Sequence, residues 1–414
     1  MNDIAASSFF DPQVIADPFD YYRAWMPKSP VVQLSEGMFL VLSYDLCSQA
    51  TGDVETFSNN FQGTLSGAMA EDSDVAAILA EGWPQVDTLL TADPPTHTRF
   101  RKLVNLAFSM KRVAAIEEDM RGVVVDLIEK MAAKGDADFV RDFGIPLPVA
   151  MIASQIGMEG DLDRVKHWSD AFVDRLGRMI PKERELECAR EVVEFQHYVK
   201  AKIDERRANR TDDLLSDLVY AEVDGERPLE DAEILSIMQQ LMVAGNETTT
   251  SALAGGLLQL IKSPDQMAKA VAAADEGNER AIINLVEEVL RTESPTAGMW
   301  RMVLKDAELG GVQIPKGAMV QLRYAAANRD PAKYPDPDRF DIERANARSH
   351  LAFGKGIHMC VGNMLSRKEM AVAYSELLTR LTDFRVAEGH TPSWPPNMLL
   401  RGLTTLPISF RRRA

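Results

Sequence analysis

The chain has 414 residues, with 46 lysines and arginines against 62 aspartates and glutamates, a formal net charge of −16. That balance argues against nucleic acid or an anionic membrane surface as the main partner, since both are themselves polyanions. Apolar residues make up an ordinary 46%, and the three cysteines, Cys47, Cys188 and Cys360, are too widely spaced for a zinc pattern or a disulfide framework, so a reducing, cytoplasmic setting is expected.

Met1 to Pro12 carries acids and lacks the apolar core of a signal peptide. Asp17-Pro18 ahead of Phe19, Tyr21, Tyr22 and Trp25 reads as a capped amphipathic helix. Val31–Leu34 and Met38–Leu42 alternate around Glu36-Gly37, which predicts a β-hairpin. Small residues fill Asn59–Ala70, a loop, and the stretch on to Leu90 looks irregular with short helices; a long loop of this kind often serves as a lid or binding segment. Asp93-Pro94-Pro95-Thr96-His97-Thr98-Arg99-Phe100-Arg101 forces a turn that starts a helix. His97 and Arg101, four apart, share a face of that helix. They suit either a solvated basic face or a pair of donors aimed at a carboxylate.

Helical patterns follow over Val113–Ala133, Pro148–Gly157, Leu162–Leu176 and Glu185–Asn209, with a short strand and turn at Asp136–Pro148. Thr211 or Asp212 caps the next segment, and Asp224-Gly225-Glu226 is a turn. Pro228-Leu229 leads into a long apolar helix. The weakly charged run Ile234–Ile261 approaches the length of a membrane span, yet Gln239, Gln240, Asn246 and Glu247 interrupt it, so a buried helix is expected. Its middle, Ala244-Gly245-Asn246-Glu247-Thr248-Thr249, is the least helical part. Glycine and β-branched residues lower propensity there, and a threonine can bond back to the i−4 carbonyl and bend the helix. A polar face against water explains this, and so does a kinked groove that presents a hydroxyl and a carboxylate to a reacting centre.

Glu288-Val289-Leu290-Arg291 puts an acid and a base on one helical face, a common surface pair by itself. Short strands are expected at Val303–Leu309, Val312–Ile314 and Ala318–Leu322, with turns at Gly310-Gly311 and Lys316-Gly317. Phe353 to Gly362 reads FGKGIHMCVG. Glycines allow such a loop to lie close to a flat ligand, and a thiolate on it is a soft metal ligand. A lone cysteine is more often a small buried hydrophobe, and the spacing matches neither phosphate-loop pattern. Leu365–Leu381 is a helix, and Met398–Thr405 a terminal loop and strand.

Phe353–Gly362 resembles the haem-binding signature of the cytochromes P450, F-G-x-G-x-H-x-C-x-G, at every fixed position. Asp93–Arg101 resembles the family's D-P-P-x-H-x-x-x-R, Ala244–Thr248 its [AG]-G-x-[DE]-T, and Glu288–Arg291 its E-x-x-R, with Tyr334–Arg344 similar to the later meander. The resemblance implies an α+β fold, mainly α with small β-sheets, as a single domain over 1–414 with haem b between the long central helix and the cysteine loop. It implies Cys360 as iron ligand, and Phe353, His358, Gly362, Ala244, His97, Arg101 and Arg301 around the haem, the His and Arg residues on its propionates. Glu288, Arg291 and Arg344 become a structural trio that holds the loop. Glu247 and Thr248 become the acid–alcohol pair that delivers protons for dioxygen activation.

The implied reaction inserts one atom of O2 into an apolar small molecule such as a terpenoid, steroid, fatty acid or aromatic. Two electrons come from NAD(P)H. The chain has no flavin or iron–sulfur motif, so a ferredoxin and its NAD(P)H-dependent reductase are the expected partners. Lys355, Arg367, Lys368, Arg99, Lys102, Lys111 and Arg112 suggest a basic docking patch. Substrate contacts are expected from Asn59–Leu90, Val243, Ala244, Thr296, Ala297 to Met299, and Met398, Leu399, Leu400, with Met69, Met299 and Met398 as adaptable surface; Arg401 leaves an acidic substrate open. A peroxide-driven enzyme, a non-enzymatic haem protein and, more remotely, a nucleotide binder are the competing readings.

Overall fold

The structure, a computed structural model, describes residues 5–60, 72–155, 157–158, 161–175, 180–223 and 225–413. Most of the loop expected at Asn59–Ala70, Met69 included, lies outside the described residues, as do Leu176 and Asp224.

Along the chain come α1 (Pro12–Ala16) and α2 (Phe19–Trp25), then the hairpin β1 (Val31–Ser35) and β2 (Met38–Val41). Gly37 turns the hairpin at φ 69°, a conformation that costs a residue without Cβ nothing. Next are α3 (Tyr44–Gly52), β3 (Phe57–Ser58), α4 (Ser73–Leu79), α5 (Thr96–Ala107), α6 (Met110–Ala115) and α7 (Glu117–Ala132). The single helix expected over Val113–Ala133 is two helices. Ile116 leaves helical geometry at φ −95°, ψ 1°, and α7 restarts with Glu117, Glu118 and Asp119 in its first turn, where the helix dipole favours acids.

β4 (Asp136–Asp138) runs into a wide turn in which the Ile145 N–H donates to the Val140 carbonyl at 2.8 Å. α8 (Pro146–Gln155) then opens on a proline, whose missing N–H is no loss at that position. α9 (Leu162–Arg175), α10 (Lys182–Ala208) and α11 (Leu214–Val219) follow. The cap of α11 is Asp213, which accepts from the Ser216 N–H at 2.7 Å, and neither Thr211 nor Asp212, expected there: Thr211 donates to Asp213 at 2.8 Å and Asp212 pairs with Arg112. α12 (Asp231–Lys262) continues through the glycine and threonines of its middle. α13 (Pro264–Asp275), α14 (Glu279–Glu293), β5 (Met299–Val303), β6 (Ala307–Leu309), β7 (Val312–Ile314), β8 (Met319–Leu322), α15 (Tyr324–Ala327), α16 (Asn363–Arg380), β9 (Leu381–Val386) and β10 (Pro407–Arg412) complete the chain. The strand expected over Val303–Leu309 is thus two, β5 and β6, and the terminal strand begins only at Pro407.

The chain forms two compact units. The first comprises 1–58, 116–147 and 247–414, and holds all three sheets. Its five-stranded sheet runs β1-β2-β8-β5-β3, with β2 and β8 parallel and the other pairs antiparallel. One apolar cluster beneath it gathers Val41, Phe57, Val303, Ile314, Val320 and Leu351, and a second joins Phe9, Tyr21, Tyr22, Leu40 and Ala297. Helices α12, α14 and α16 meet closely here: a Cβ on Gly256 would sit 2.1 Å from the Tyr374 hydroxyl and 2.7 Å from Val289. The second unit, 59–115 and 148–246, is helical; α10 packs on α4, α9 and α11. No helix among the described residues is long and apolar enough to cross a membrane.

Candidate active site

Within the first unit, the cysteine loop is a compact turn system. Gly354 and Gly356 take φ 66° and 71°, so only glycine fits without strain. The Cys360 N–H donates to the Phe353 carbonyl at 2.9 Å, and the Met359 N–H to Gly356 at 3.1 Å. Phe353, His358, Cys360 and Gly362 are all half-buried. Cys360 lies just before α16, whose N-terminal partial charge favours an anionic sulfur. A Cβ at Gly362 would stand 4.0 Å from Sγ, so the chain after the cysteine turns back close to the sulfur.

The trio Glu288, Arg291 and Arg344 forms a buried network. Arg291 donates to Glu288 twice, at 2.7 and 2.8 Å, and Arg344 donates at 3.1 Å. The remaining guanidinium N–H groups reach the carbonyls of Asn328, Pro335, Asp336, Pro337 and Arg339, and the Asp341 N–H donates to Glu288 at 2.9 Å. Asn328 Oδ1 then accepts from the Leu351 N–H at 2.6 Å. One carboxylate therefore organises the meander that leads into the cysteine loop.

A residue absent from the sequence reading stands beside it. Glu287, 2% exposed, binds His350 Nε2 at 2.9 Å and Arg367 at 2.8 and 3.2 Å. Burial alone would raise this carboxyl, but hydrogen bonds from His350 and Arg367 bring it below the usual carboxylate range. Only the run of two glutamates at 287–288 hinted at it, and a buried second acid cannot be told from a surface one by spacing.

On α12, Ser251 back-bonds to the Glu247 carbonyl at 2.8 Å, and Thr249 lies 3.3 Å from Ser366 of α16. Glu247 and Thr248 are half-buried. The segments of the first unit expected to meet substrate come together: Thr296 bridges Leu400, the Ala297 N–H donates to Leu399 at 2.7 Å, and the Arg401 N–H donates to Pro295 at 2.8 Å. Gln321 and Arg323 hold the Met398 carbonyl at 2.8 and 2.6 Å. Thr296, Met299, Met398 and Leu399 keep part of their surface, whereas Ala297 is buried and offers only its backbone. Arg401 is buried against Glu293 at 3.4 Å, between the rings of Phe19 and Trp394.

The second unit carries His97, buried in the first turn of α5, and Arg101, half-buried one turn on. Burial and the nearby Arg101 charge hold His97 below the ordinary imidazole range. Val243 is half-buried and Ala244 exposed on α12.

The residues fit a haem. Arg301 on β5 is 2% exposed; among the described residues its one hydrogen bond runs to the Trp300 carbonyl at 2.8 Å and no carboxylate pairs with it. A buried guanidinium with most of its N–H groups uncommitted calls for an anion, and a propionate supplies one. The loop's single sulfur donor beside tight glycine turns would suit a thiolate ligand to the iron of a flat macrocycle.

The cytochrome P450 family model matches residues 69–410. A steroid C26-monooxygenase of Mycobacterium tuberculosis is 32% identical, covering 99% of this chain and 96% of that protein. The monooxygenase PikC of Streptomyces venezuelae is 35% identical, covering 96% and 92%. Among solved structures, cytochrome P450 CYP109Q5 from Chondromyces apiculatus aligns with TM-score 0.85 at 33% identity over 99% of both chains. Cytochrome P450 CREJ, in complex with (4-ethylphenyl) dihydrogen phosphate, aligns with TM-score 0.86 at 31% identity over 95% and 97%. The chain belongs to the cytochrome P450 family. It is a haem-binding monooxygenase, an oxidoreductase that acts on a small molecule with O2.

Proposed function

We propose that this protein hydroxylates an apolar small molecule, with Cys360 as the residue that would hold the haem iron and the whole chain, 1–414, acting as one catalytic domain. The observation that carries this is the cysteine loop, closed from Phe353 to Cys360 and tied through the meander to a fully buried carboxylate. Haem iron ligated by thiolate supplies dioxygen activation, because the sulfur's electron donation favours O–O cleavage. The protein's part is to hold and move protons. Thr248 Oγ1 positions the hydrogen bond, and Glu247 passes protons from solvent. Arg301 and Arg101 would neutralise the propionates, and His97 and His358 would donate hydrogen bonds to them.

Substrate polarity follows from Thr296, Met299, Met398, Leu399 and Leu400, which are largely apolar and keep part of their surface. Arg401, the cation nearest these segments in sequence, is committed to Glu293, which favours a neutral ligand. Terpenoids, steroids, neutral aromatics and the chain of a fatty acid fit that surface. Electrons come from NAD(P)H through a ferredoxin and its reductase, in a cytoplasmic setting.

The test is the absorbance of the reduced, carbon-monoxide-bound protein. The red-shifted Soret band of thiolate-ligated haem is expected in wild type and absent in Cys360→Ser. A histidine-type band in wild type overturns the assignment of Cys360. Product formed with peroxide and not with NADH, ferredoxin and reductase overturns the electron route.

A further inference from the structure

The trio around Glu288 fixes the meander, yet it does not touch the cysteine loop beyond Leu351. A second set of contacts does. Glu287 on α14 receives Arg367 of α16 through two N–H groups, at 2.8 and 3.2 Å. The same guanidinium donates to Asn363 Oδ1 at 2.8 Å, and Asn363 Nδ2 donates to the Cys360 carbonyl at 2.7 Å. Its flat face covers the Phe353 ring, 4.4 Å from the centroid. Phe353 and Cys360 are the two ends of the loop's own hydrogen bond. One arginine thus holds both ends of the loop, and Glu287 holds the arginine.

His350 makes the arrangement specific. Its Nδ1 accepts from the Ala352 N–H at 3.2 Å, so the ring proton sits on Nε2 and donates to Glu287 at 2.9 Å. Glu287 therefore satisfies three hydrogen-bond donors from residues on either side of the cysteine loop in the chain, with Arg348 a further 3.7 Å away, and its own burial favours the bidentate pair's geometry.

We infer that Glu287, with His350 and Arg367, forms a positioning cluster that sets the orientation of the Cys360 peptide and, through it, the electron-donor strength of the thiolate. This rests on Cys360 being the iron ligand. The physical route is short: rotating the Cys360 carbonyl re-aims the following amides, and amide hydrogen bonds to a ligating sulfur tune its basicity. Arg367, expected from sequence to face a partner, is turned inward for this task. The three residues touch neither iron nor substrate, so they are not catalytic residues.

Three holoenzyme variants test the cluster. Asn363→Ala removes the last link and leaves the buried charges paired; Arg367→Lys keeps the charge and loses the fork and the ring contact; Glu287→Gln removes the anion. All three are expected to shift part of the reduced, carbon-monoxide-bound protein from the thiolate band to the neutral-thiol band. They are also expected to release haem to an excess of apomyoglobin about 10-fold faster, the lower range for loss of an outer-shell contact. Far-UV dichroism should stay native in Asn363→Ala and Arg367→Lys, so those two decide if Glu287→Gln fails to fold. A fully retained thiolate band with wild-type haem release in Asn363→Ala and Arg367→Lys, whatever happens to the melting temperature, overturns the inference. A wild type without the thiolate band overturns the Cys360 assignment instead, and the inference with it.

Discussion

Thr248 is one of several hydroxyls in the middle of α12, and they divide by task. Ser251 bonds back to the Glu247 carbonyl, Thr250 donates to Gly144 at 2.8 Å, and Thr249 faces Ser366. Thr250 is buried and structural, whereas Thr248, beside Glu247, keeps part of its surface. Replacing Thr248 by Ala should leave haem content and melting temperature near wild type, while product formed per NADH consumed falls about 10-fold or more and peroxide accumulates. Unchanged coupling would remove Thr248 from the proton path. Glu247 and Thr248 stood out in the sequence because polar residues interrupt an apolar helix; the partners of the neighbouring hydroxyls could not be read there, since they depend on which element faces each one. His350 makes the same point. Burial pushes its imidazole below the ordinary value against the pull of Glu287. A lowered folded pKa means that the unfolded chain binds the extra proton near pH 6.5, so stability is lost as pH falls through that value. Melting temperature should drop between about pH 7.5 and 5.5, and His350→Gln should flatten that slope. An equal slope in both proteins would place the titration elsewhere.

At the level of elements, the site depends on how closely three helices approach. Gly255 and Gly256 let α12 lie against Glu293 and Val289 of α14 and Tyr374 of α16, and the Tyr374 hydroxyl donates to the Ala252 and Leu253 carbonyls at 3.2 and 3.1 Å. Gly256→Ala has no room and should cost about 1–3 kcal/mol, read as a lower denaturation midpoint with the haem band retained. Glu288→Ala is harsher. It strands two buried guanidinium groups, a loss of about 3–5 kcal/mol, and should give protein without haem or no folded protein. Near-normal haem content in Glu288→Ala would show that the meander stands without the carboxylate. The hairpin was legible because its turn residues and alternation agree, α2 from its aromatic face although no side chain caps it, and α12 from the length of its apolar run despite the polar residues in its middle. The break at Ile116 was not: helical periodicity runs through it, and no glycine or proline marks the point where the chain leaves the helix.

Across the molecule, five of the seven cations expected to form a docking patch are paired with acids. Lys368 pairs with Glu117 at 2.8 Å, Arg367 with Glu287, Lys102 with Glu226 at 3.4 Å, Arg99 with Glu233 at 2.9 Å, and Arg112 with Asp212 and Asp217 at 2.9 and 2.6 Å. A residue count along the sequence cannot show this, because each acid lies far away in the chain. Reversing Arg112 would therefore disturb α11 rather than report on a partner. Lys355 is different: it sits in the cysteine loop, exposed, and its Nζ donates to the Ser48 hydroxyl at 2.5 Å, with no acid pairing it among the described residues. If an acidic iron–sulfur donor approaches the loop, Lys355 is the charge that meets it. A single exposed pair contributes about 0.2–1 kcal/mol, which corresponds to a rise of about 1.4- to 5-fold in the apparent Michaelis constant for ferredoxin in Lys355→Glu. The effect belongs to low ionic strength and should vanish near 1 M salt, where the screening length falls to about 3 Å. Ile357, Met359 and Met364, within four residues of Cys360 in the chain, are each about 40% exposed. A charge effect that persists in high salt would mean that Lys355 acts on the loop itself and not on the approach of the donor.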